Sequence, residues 1–256
     1  MAEDRFSLEG KVAIITGGSR GIGRKIAEEF AKAGASVVVS SRKLEACEQA
    51  VREIEKSGGR ALAVAAHTGK IDQLEALADA TLAHFGKIDI LVNNAGTNPH
   101  FGATINIEKG AWDKTFDVNV DGVFFLTQAV FEKWMRDNGG TIINMASVAG
   151  LRPAPMTGAY CVTKAALIML TQVLASELGA YGIRVNAIAP GFIKTDMSKA
   201  VWTSDMFKER VKLLPVPRLG ETEDLIGAAL YLASGASSFM TGETIVIDGG
   251  AQFFSS

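Results

Sequence analysis

Val12-Ala13-Ile14-Ile15-Thr16-Gly17-Gly18-Ser19-Arg20-Gly21-Ile22-Gly23 reads as a buried strand, a glycine turn and the first turn of a helix. A short continuous apolar run bounded by turn residues suits a strand covered on both faces. Glycines let the next segment turn tightly and approach a bound group closely. The helix that follows presents free N–H groups at the positive end of its dipole. A glycine turn alone is ordinary. Strand, glycines and helix in this order are what cradles a dinucleotide pyrophosphate.

Outward from that unit one rhythm repeats. Val37–Ser40, Ala61–Ala65, Ile88–Asn93, Thr141–Met145, Arg184–Ala189 and Thr244–Ile247 read as further strands. Segments 21–33, 43–57, 70–84, 108–135, 157–180 and 222–234 read as helices between them. Strands alternating with helices imply right-handed crossovers and a parallel sheet with helices on both faces. The expectation is one doubly wound α/β domain over residues 1–256, without an internal linker or repeat.

Composition narrows the function classes. The chain has 256 residues, 48% hydrophobic and 21% charged, so a folded core is expected rather than disorder. Net charge is −2 with no block of Lys/Arg, which argues against nucleic acid or an anionic membrane as partner. The first ten residues lack the apolar core of a signal peptide, and no apolar run is expected to span a bilayer, so the expected location is cytoplasmic. Cys47 and Cys161 fall on helices without a Cys-x-x-Cys or His-rich context, so neither a disulfide scaffold nor a metal site is expected.

The end of the second strand bears on which nicotinamide cofactor is bound. An NAD site commonly places a carboxylate there for the ribose 2′-hydroxyl. This chain has Ser40-Ser41-Arg42-Lys43 instead, so nothing repels a 2′-phosphate and Arg42 with Arg20 could clamp one. NADP(H) is therefore favoured over NAD(H).

Tyr160-Cys161-Val162-Thr163-Lys164 places a phenol and an ammonium on one helix face. A lysine beside a tyrosine favours the phenolate and is expected to lower its pKa, giving a proton donor and acceptor for chemistry at a carbonyl or alcohol oxygen. Ser147 follows the fifth strand, Asn93-Asn94-Ala95-Gly96 the fourth and Pro190-Gly191 the sixth, all at the carboxyl edge where ligands bind in open parallel sheets. Asn119 lies mid-helix, where asparagine has poor propensity, so its side chain is expected to have a hydrogen-bonding task.

These motifs, in this order and spacing and with the ending Gly242-Glu243-Thr244 to Asp248-Gly249-Gly250, resemble the short-chain dehydrogenase/reductases of the classical type over essentially the whole chain. Ser40–Lys43, Asn94–Gly102 and Leu219–Glu221 look like the NADPH-dependent carbonyl/retinal reductases of the SDR family member 4 type. The resemblance implies a Rossmann domain with a seven-stranded sheet in the order 3-2-1-4-5-6-7, and commonly a homotetramer on the two long helices. It implies Tyr160 as acid or base, Lys164 as the cation that lowers its pKa and holds the nicotinamide ribose, and Ser147 as the group that orients the substrate oxygen. It also implies that Asn119 holds a water linking Lys164 to solvent. Cofactor contacts would come from Gly17, Ser19, Arg20, Gly21, Ile22, Gly23, Ser40, Ser41, Arg42, His67, Thr68, Asn93, Ala95, Gly96, Pro190, Gly191, Ile193 and Thr195.

His67-Thr68 stands where many members have an aspartate contacting adenine, which leaves a backbone contact there. His67 has no second ligand spaced for a metal, and His100 reads as a solvated loop residue. A wall of Phe101, Leu151, Pro153, Phe192, Met197, Val201 and Trp202 suits a hydrophobic ketone, aldehyde or diketone. Residues 195–218, with Met206 and Phe207, read as a lid. The enzymatic rival is a 3-oxoacyl-thioester reductase acting on carrier protein or CoA. Such enzymes carry carrier-docking arginines where this chain has Asn138 and Ser176, although Lys133 and Arg136 are near enough to substitute. The non-enzymatic rival is a cofactor-binding sensor or interaction protein.

Overall fold

Strands β1 (Val12–Thr16), β2 (Ser36–Ser41), β3 (Arg60–Ala65), β4 (Ile90–Asn93), β5 (Gly140–Met145), β6 (Ile183–Pro190) and β7 (Thr244–Ile247) pair in parallel within one sheet. The sheet has seven strands in the order β3-β2-β1-β4-β5-β6-β7, which is the expected topology. The computed structural model describes residues 5–203, 209 and 211–253, with the side chains of Ala200 and Val201 left out. Between the strands lie helices α1 (Gly21–Lys32), α2 (Leu44–Lys56), α3 (Ile71–Phe85), α4 (a helical run over 109–138), α5 (Gly158–Leu178), a short α6 (Lys199–Trp202) and α7 (Ile226–Ala233).

Two apolar layers hold this arrangement, one on each face of the sheet. Ile14 of β1 and Val38 of β2 pack with Leu74 and Leu77 of α3, Leu126 of α4 and Leu174 of α5. Their neighbours Ala13, Ile15, Val37 and Val39 point the other way, against Ile26 and Phe30 of α1, Ile54 of α2 and Leu232 of α7. The twofold alternation of a strand forces this split, and it is why the central strands are mainly apolar. Each fully buried side chain of this size contributes roughly 1.5–3 kcal/mol. The edge strands differ from the expectation of double burial: β3 and β7 are only half-buried, because each has a partner on one side alone.

Two helices depart from the sequence reading. Run α4 contains π-turns at Asp117–Asp121 and Phe131–Met135, the first of which holds Asn119. The helix expected at 222–234 starts as a 3-10 turn, Thr222–Leu225, closed by a capping box between Glu221 and Asp224. The expectation about bilayer-spanning runs also needs correcting. The helix with its terminal turn, Gly158–Tyr181, has a mean hydropathy of 1.4 and is long and apolar enough by composition to cross one. In the fold it lies against the sheet, burying Leu167, Leu174 and Leu178 together with Lys164.

Candidate active site

The carboxyl ends of β1, β4, β5 and β6 converge on one edge, and the glycine loop after β1 fills the centre of it. Gly17 and Gly21 have φ of 65° and 56°, the left-handed region in which side chains are strained. A Cβ on Gly23 would collide with Asn94 Nδ2 and lie 2.6 Å from Gly17 O. The N-terminus of α1 has no side-chain cap and no acidic residue in its first turn, so its N–H donors remain for a ligand. A cradle closed to side chains beside an uncapped helix start suits a pyrophosphate.

Two residues outside the sequence-based contacts set the shape of that cradle. Thr16 Oγ1 accepts from the N–H groups of Asn94 and Ala95, both at 3.0 Å, and donates to Val92 O. Asn94 Nδ2 donates to Thr16 O at 2.8 Å and Gly17 O at 3.3 Å. The amide therefore clamps the glycine loop to the end of β4. An asparagine beside glycines reads as a turn in sequence, and only the crossing of β1 beside β4 reveals the clamp.

Asn93 faces elsewhere. It is buried, and its Nδ2 donates to Thr127 Oγ1 and Asn144 Oδ1, while Asn144 Nδ2 donates to Thr171 Oγ1. Its side chain braces β4 against β5, α4 and α5. Ser40 is likewise buried and offers no surface hydroxyl, its carbonyl accepting from the Gly18 N–H at 3.1 Å. The Ser41 hydroxyl lies 3.1 Å from Cys47 Sγ.

Arg42 is exposed at the end of β2. Burial first, then the positive charges of Arg42, Lys70 and Lys114, lowers the His67 pKa, so this corner of the edge is cationic. His67 Nδ1 accepts from the Gly69 N–H at 3.0 Å, and Thr68 is buried. Arg20 is engaged with Asp196 in an exposed ion pair of 3.3 Å. Ile22 packs against the core layer of α1. Beyond β6, the Gly191 N–H donates to Ile247 O, Ile193 is buried in a bridge to Gly220, and Thr195 O accepts from Trp202 Nε1 at 3.2 Å.

Ser147, Tyr160 and Lys164 come together below this edge. Ser147 caps the turn Val148–Gly150, its Oγ accepting from the Ala149 N–H at 3.1 Å. Lys164 is 4% exposed, lies with Nζ 5.6 Å from the Tyr160 ring centre, and donates to Met145 O at 2.5 Å. Burial lowers its pKa to about 8. The Tyr160 pKa moves opposite to the expected direction. Removal from water raises it, and a hydrogen bond with Ser147 only partly offsets that rise. Desolvation of the phenol is the largest influence on its pKa.

Asn119 is fully buried in its π-turn. Its Oδ1 accepts from the Thr97 N–H, and its Nδ2 donates to Thr97 O and Thr163 Oγ1 at 3.0 and 3.1 Å. The side chain thus locks the loop after β4 onto α5, one residue from Lys164. Gly96 sits between them, its Cβ position 3.6 Å from Asn119 Oδ1 and 3.7 Å from Lys164 Nζ. Single π-turns recur at functional sites, where they re-aim a helix residue.

The apolar wall is partly assembled. Phe101, Leu151, Phe192 and Met197 are exposed large hydrophobics, Pro153 is exposed and Trp202 is half-buried. The Val201 side chain, and Met206 and Phe207 of the lid segment, lie outside the described residues. Of the residues offered as substitutes for carrier-docking arginines, Lys133 pairs with Asp79 at 2.7 Å and the Arg136 guanidinium stacks 4.9 Å over Phe131.

Comparison with known proteins places this geometry in context. The family model described as enoyl-(acyl carrier protein) reductase matches residues 17–252. Dehydrogenase/reductase SDR family member 4 of Oryctolagus cuniculus is 41% identical over 248 residues, 96% of this chain and 95% of the relative. A gluconate 5-dehydrogenase from Burkholderia cenocepacia, in complex with NADP and tartrate, superposes with TM-score 0.95 at 36% identity, with both chains covered in full at 100%. A 7α-hydroxysteroid dehydrogenase complexed with NADH and 7-oxo glycochenodeoxycholic acid gives 0.93 at 37% identity, covering 98% of this chain and 97% of its own.

Proposed function

This chain belongs to the short-chain dehydrogenase/reductase family of nicotinamide-dependent oxidoreductases, and from that premise we propose that it exchanges a hydride between NADP(H) and a hydrophobic ketone, aldehyde or diketone. The observation that carries the reading is the convergence of Tyr160, Ser147 and buried Lys164 beneath the glycine cradle. In reduction Tyr160 gives its proton to the carbonyl oxygen, and in oxidation it takes the proton from the alcohol. A raised pKa keeps the phenol protonated at neutral pH, which suits it as the acid. As the proton leaves, the Lys164 ammonium stabilises the phenolate across a low-dielectric gap. Ser147 hydrogen-bonds and orients the substrate oxygen. Asn119 holds the Thr97 loop and Thr163 in place around the lysine, and a water relay past Gly96 returns the proton from solvent. A bound nicotinamide supplies the hydride.

Preference for NADP(H) rests on exposed Arg42 in its cationic corner and on the lack of a carboxylate at the end of β2. The structural relatives include both an NADP and an NADH complex, so Arg42 carries this part alone. Exposed Phe101, Leu151, Phe192 and Met197 support an apolar substrate, and segment 195–218 is assigned as the lid over it. Exposed Phe124 of α4 with Met169 and Val173 of α5 supports a homotetramer on those helices. Free thiols at Cys47 and Cys161 suit the reducing cytoplasm.

A spectrophotometric screen of ketones, aldehydes, sugars and 3-oxoacyl thioesters with NADPH and NADH tests the proposal. Fastest NADPH oxidation with apolar ketones, aldehydes or diketones is the expected result. Preference for the thioesters would replace it with the acyl reductase reading. NADPH binding without turnover of any carbonyl would make the chain a cofactor-binding module.

A further inference from the structure

Arg20 is expected at the 2′-phosphate, yet its guanidinium is engaged by a carboxylate far along the chain. Arg20 Nη1 donates to Asp196 Oδ2 at 3.3 Å. The pair joins the glycine loop to the limb that follows β6, residues 193–202. Beside it, Thr195 Cγ2 lies 3.6 Å from the Cβ position of Gly21, so the limb rests on the start of α1. The limb is also cross-braced within itself. Ser198 Oγ donates to Ile193 O at 2.6 Å and accepts from the Thr195 N–H at 3.2 Å, and Trp202 Nε1 donates to Thr195 O at 3.2 Å. Asp196 thus belongs to a braced unit with Trp202 at its far end and Met197 exposed beside it, both expected in the substrate wall. What tethers Asp196 therefore bears on the position of that wall.

The side chains of the pair are 68% and 70% exposed. An ion pair so open to water contributes little to stability, so its cation is cheaply given up to another anion. A phosphate monoester carries about −1.5 to −2 charges near pH 7 and offers three acceptor oxygens, which lets it displace a single carboxylate from a guanidinium. Two anions at one guanidinium also repel each other. We propose that Asp196 and the 2′-phosphate of NADP(H) compete for Arg20, so that NADP(H) untethers the 193–202 limb from the glycine loop while NAD(H), with a hydroxyl there, leaves it tied. This inference rests on the NADP(H) reading above. It adds a route by which the identity of the cofactor reaches the substrate wall.

Isothermal titration with NADPH and NADH compares wild type, Asp196→Asn, Arg20→Gln and the double variant at low salt, where exposed charges are least screened. Asp196→Asn is expected to bind NADPH about threefold more tightly, as the loss of an exposed competing pair allows, and to bind NADH as wild type does. In the Arg20→Gln background the same substitution should leave NADPH affinity unchanged. A gain that persists there would mean that Asp196 repels the phosphate directly, and it overturns the competition. So does an unchanged NADPH affinity in Asp196→Asn, or an equal change for both cofactors, which is what mere damage to the limb would give. Trp202 reports the limb itself. Adenosine 2′,5′-bisphosphate should shift the tryptophan emission of wild type, AMP should not, and Trp202→Phe should lose the shift. No shift, a shift shared with AMP, or one that survives in Trp202→Phe overturns the untethering. If wild type binds NADPH no more tightly than NADH, the NADP(H) reading fails first and takes this inference with it.

Discussion

The Lys164 ammonium lies 5.6 Å from the centre of the Tyr160 ring, and its Nζ donates to Met145 O. Burial moves the pKa values of the pair in opposite directions and apart, the lysine down to about 8 and the tyrosine up from 10.0. In the proposed reaction this would keep the acid protonated until substrate arrives, with the cation that would face the phenolate already in place.

That relationship has a consequence for stability. A lysine with a depressed folded pKa keeps its burial penalty while both states are protonated, below about 8. Between that value and the ordinary 10.5 the unfolded chain binds the proton that the folded chain has released, so stability rises with pH. The rise integrates to roughly 3 kcal/mol, at about 1.4 kcal/mol per pH unit. Urea unfolding of wild type and Lys164→Met from pH 7 to pH 10.5 should show wild type gaining on the variant across this window. A constant difference would falsify the lowered folded pKa of Lys164.

Removing only the phenolic oxygen separates chemistry from binding. Tyr160→Phe should lower turnover by about 10²–10⁴-fold, the range for loss of a positioned acid. Fluorescence titration should find NADPH affinity within a few-fold of wild type. Turnover surviving in Tyr160→Phe would move the acid to another residue.

Cofactor choice is tested at Arg42. Replacing a cation by a carboxylate, Arg42→Asp, removes a charge-assisted contact and adds repulsion to a 2′-phosphate, which should weaken NADPH by about a hundredfold. NADH, with a hydroxyl there, should change little. Equal loss of both cofactors, measured by isothermal titration, would mean that Arg42 does not read the phosphate.

Asn119→Ala deletes three hydrogen bonds and leaves the Thr97 N–H and carbonyl without their partner, while Thr163 Oγ1 keeps its bond to Tyr160 O. The expected cost is about 2–4 kcal/mol of stability. Turnover should fall as well, because the loop that borders Lys164 loses its hold on α5. A variant unfolding at the wild-type temperature would show that water replaces the amide without loss.

Much of this was legible along the chain. Apolar runs alternating with helical periods specify the doubly wound sheet, because a strand covered on both faces is built mainly of apolar residues. Tyr160 and Lys164 were legible too, since their spacing alone puts them on one helix face. The π-turn around Asn119 was not, as a one-residue change of helical register leaves no mark on periodicity. Nor was the role of Asn94, whose partners Thr16 and Gly17 are brought to it by the pairing of β1 with β4.

By itself the sequence determined the alternation of strands and helices, the glycine cradle and the residue types at the carboxyl edge, because these follow from local sterics and hydrophobic periodicity. The strand order followed from the family resemblance. Only the tertiary structure decided which way each group titrates and faces. Burial turned the Tyr160 shift upward, directed Asn93 into the interior and set Met156 at a positive φ. Desolvation and hydrogen-bond partners depend on what distant segments bring alongside, and that information is not local in the chain.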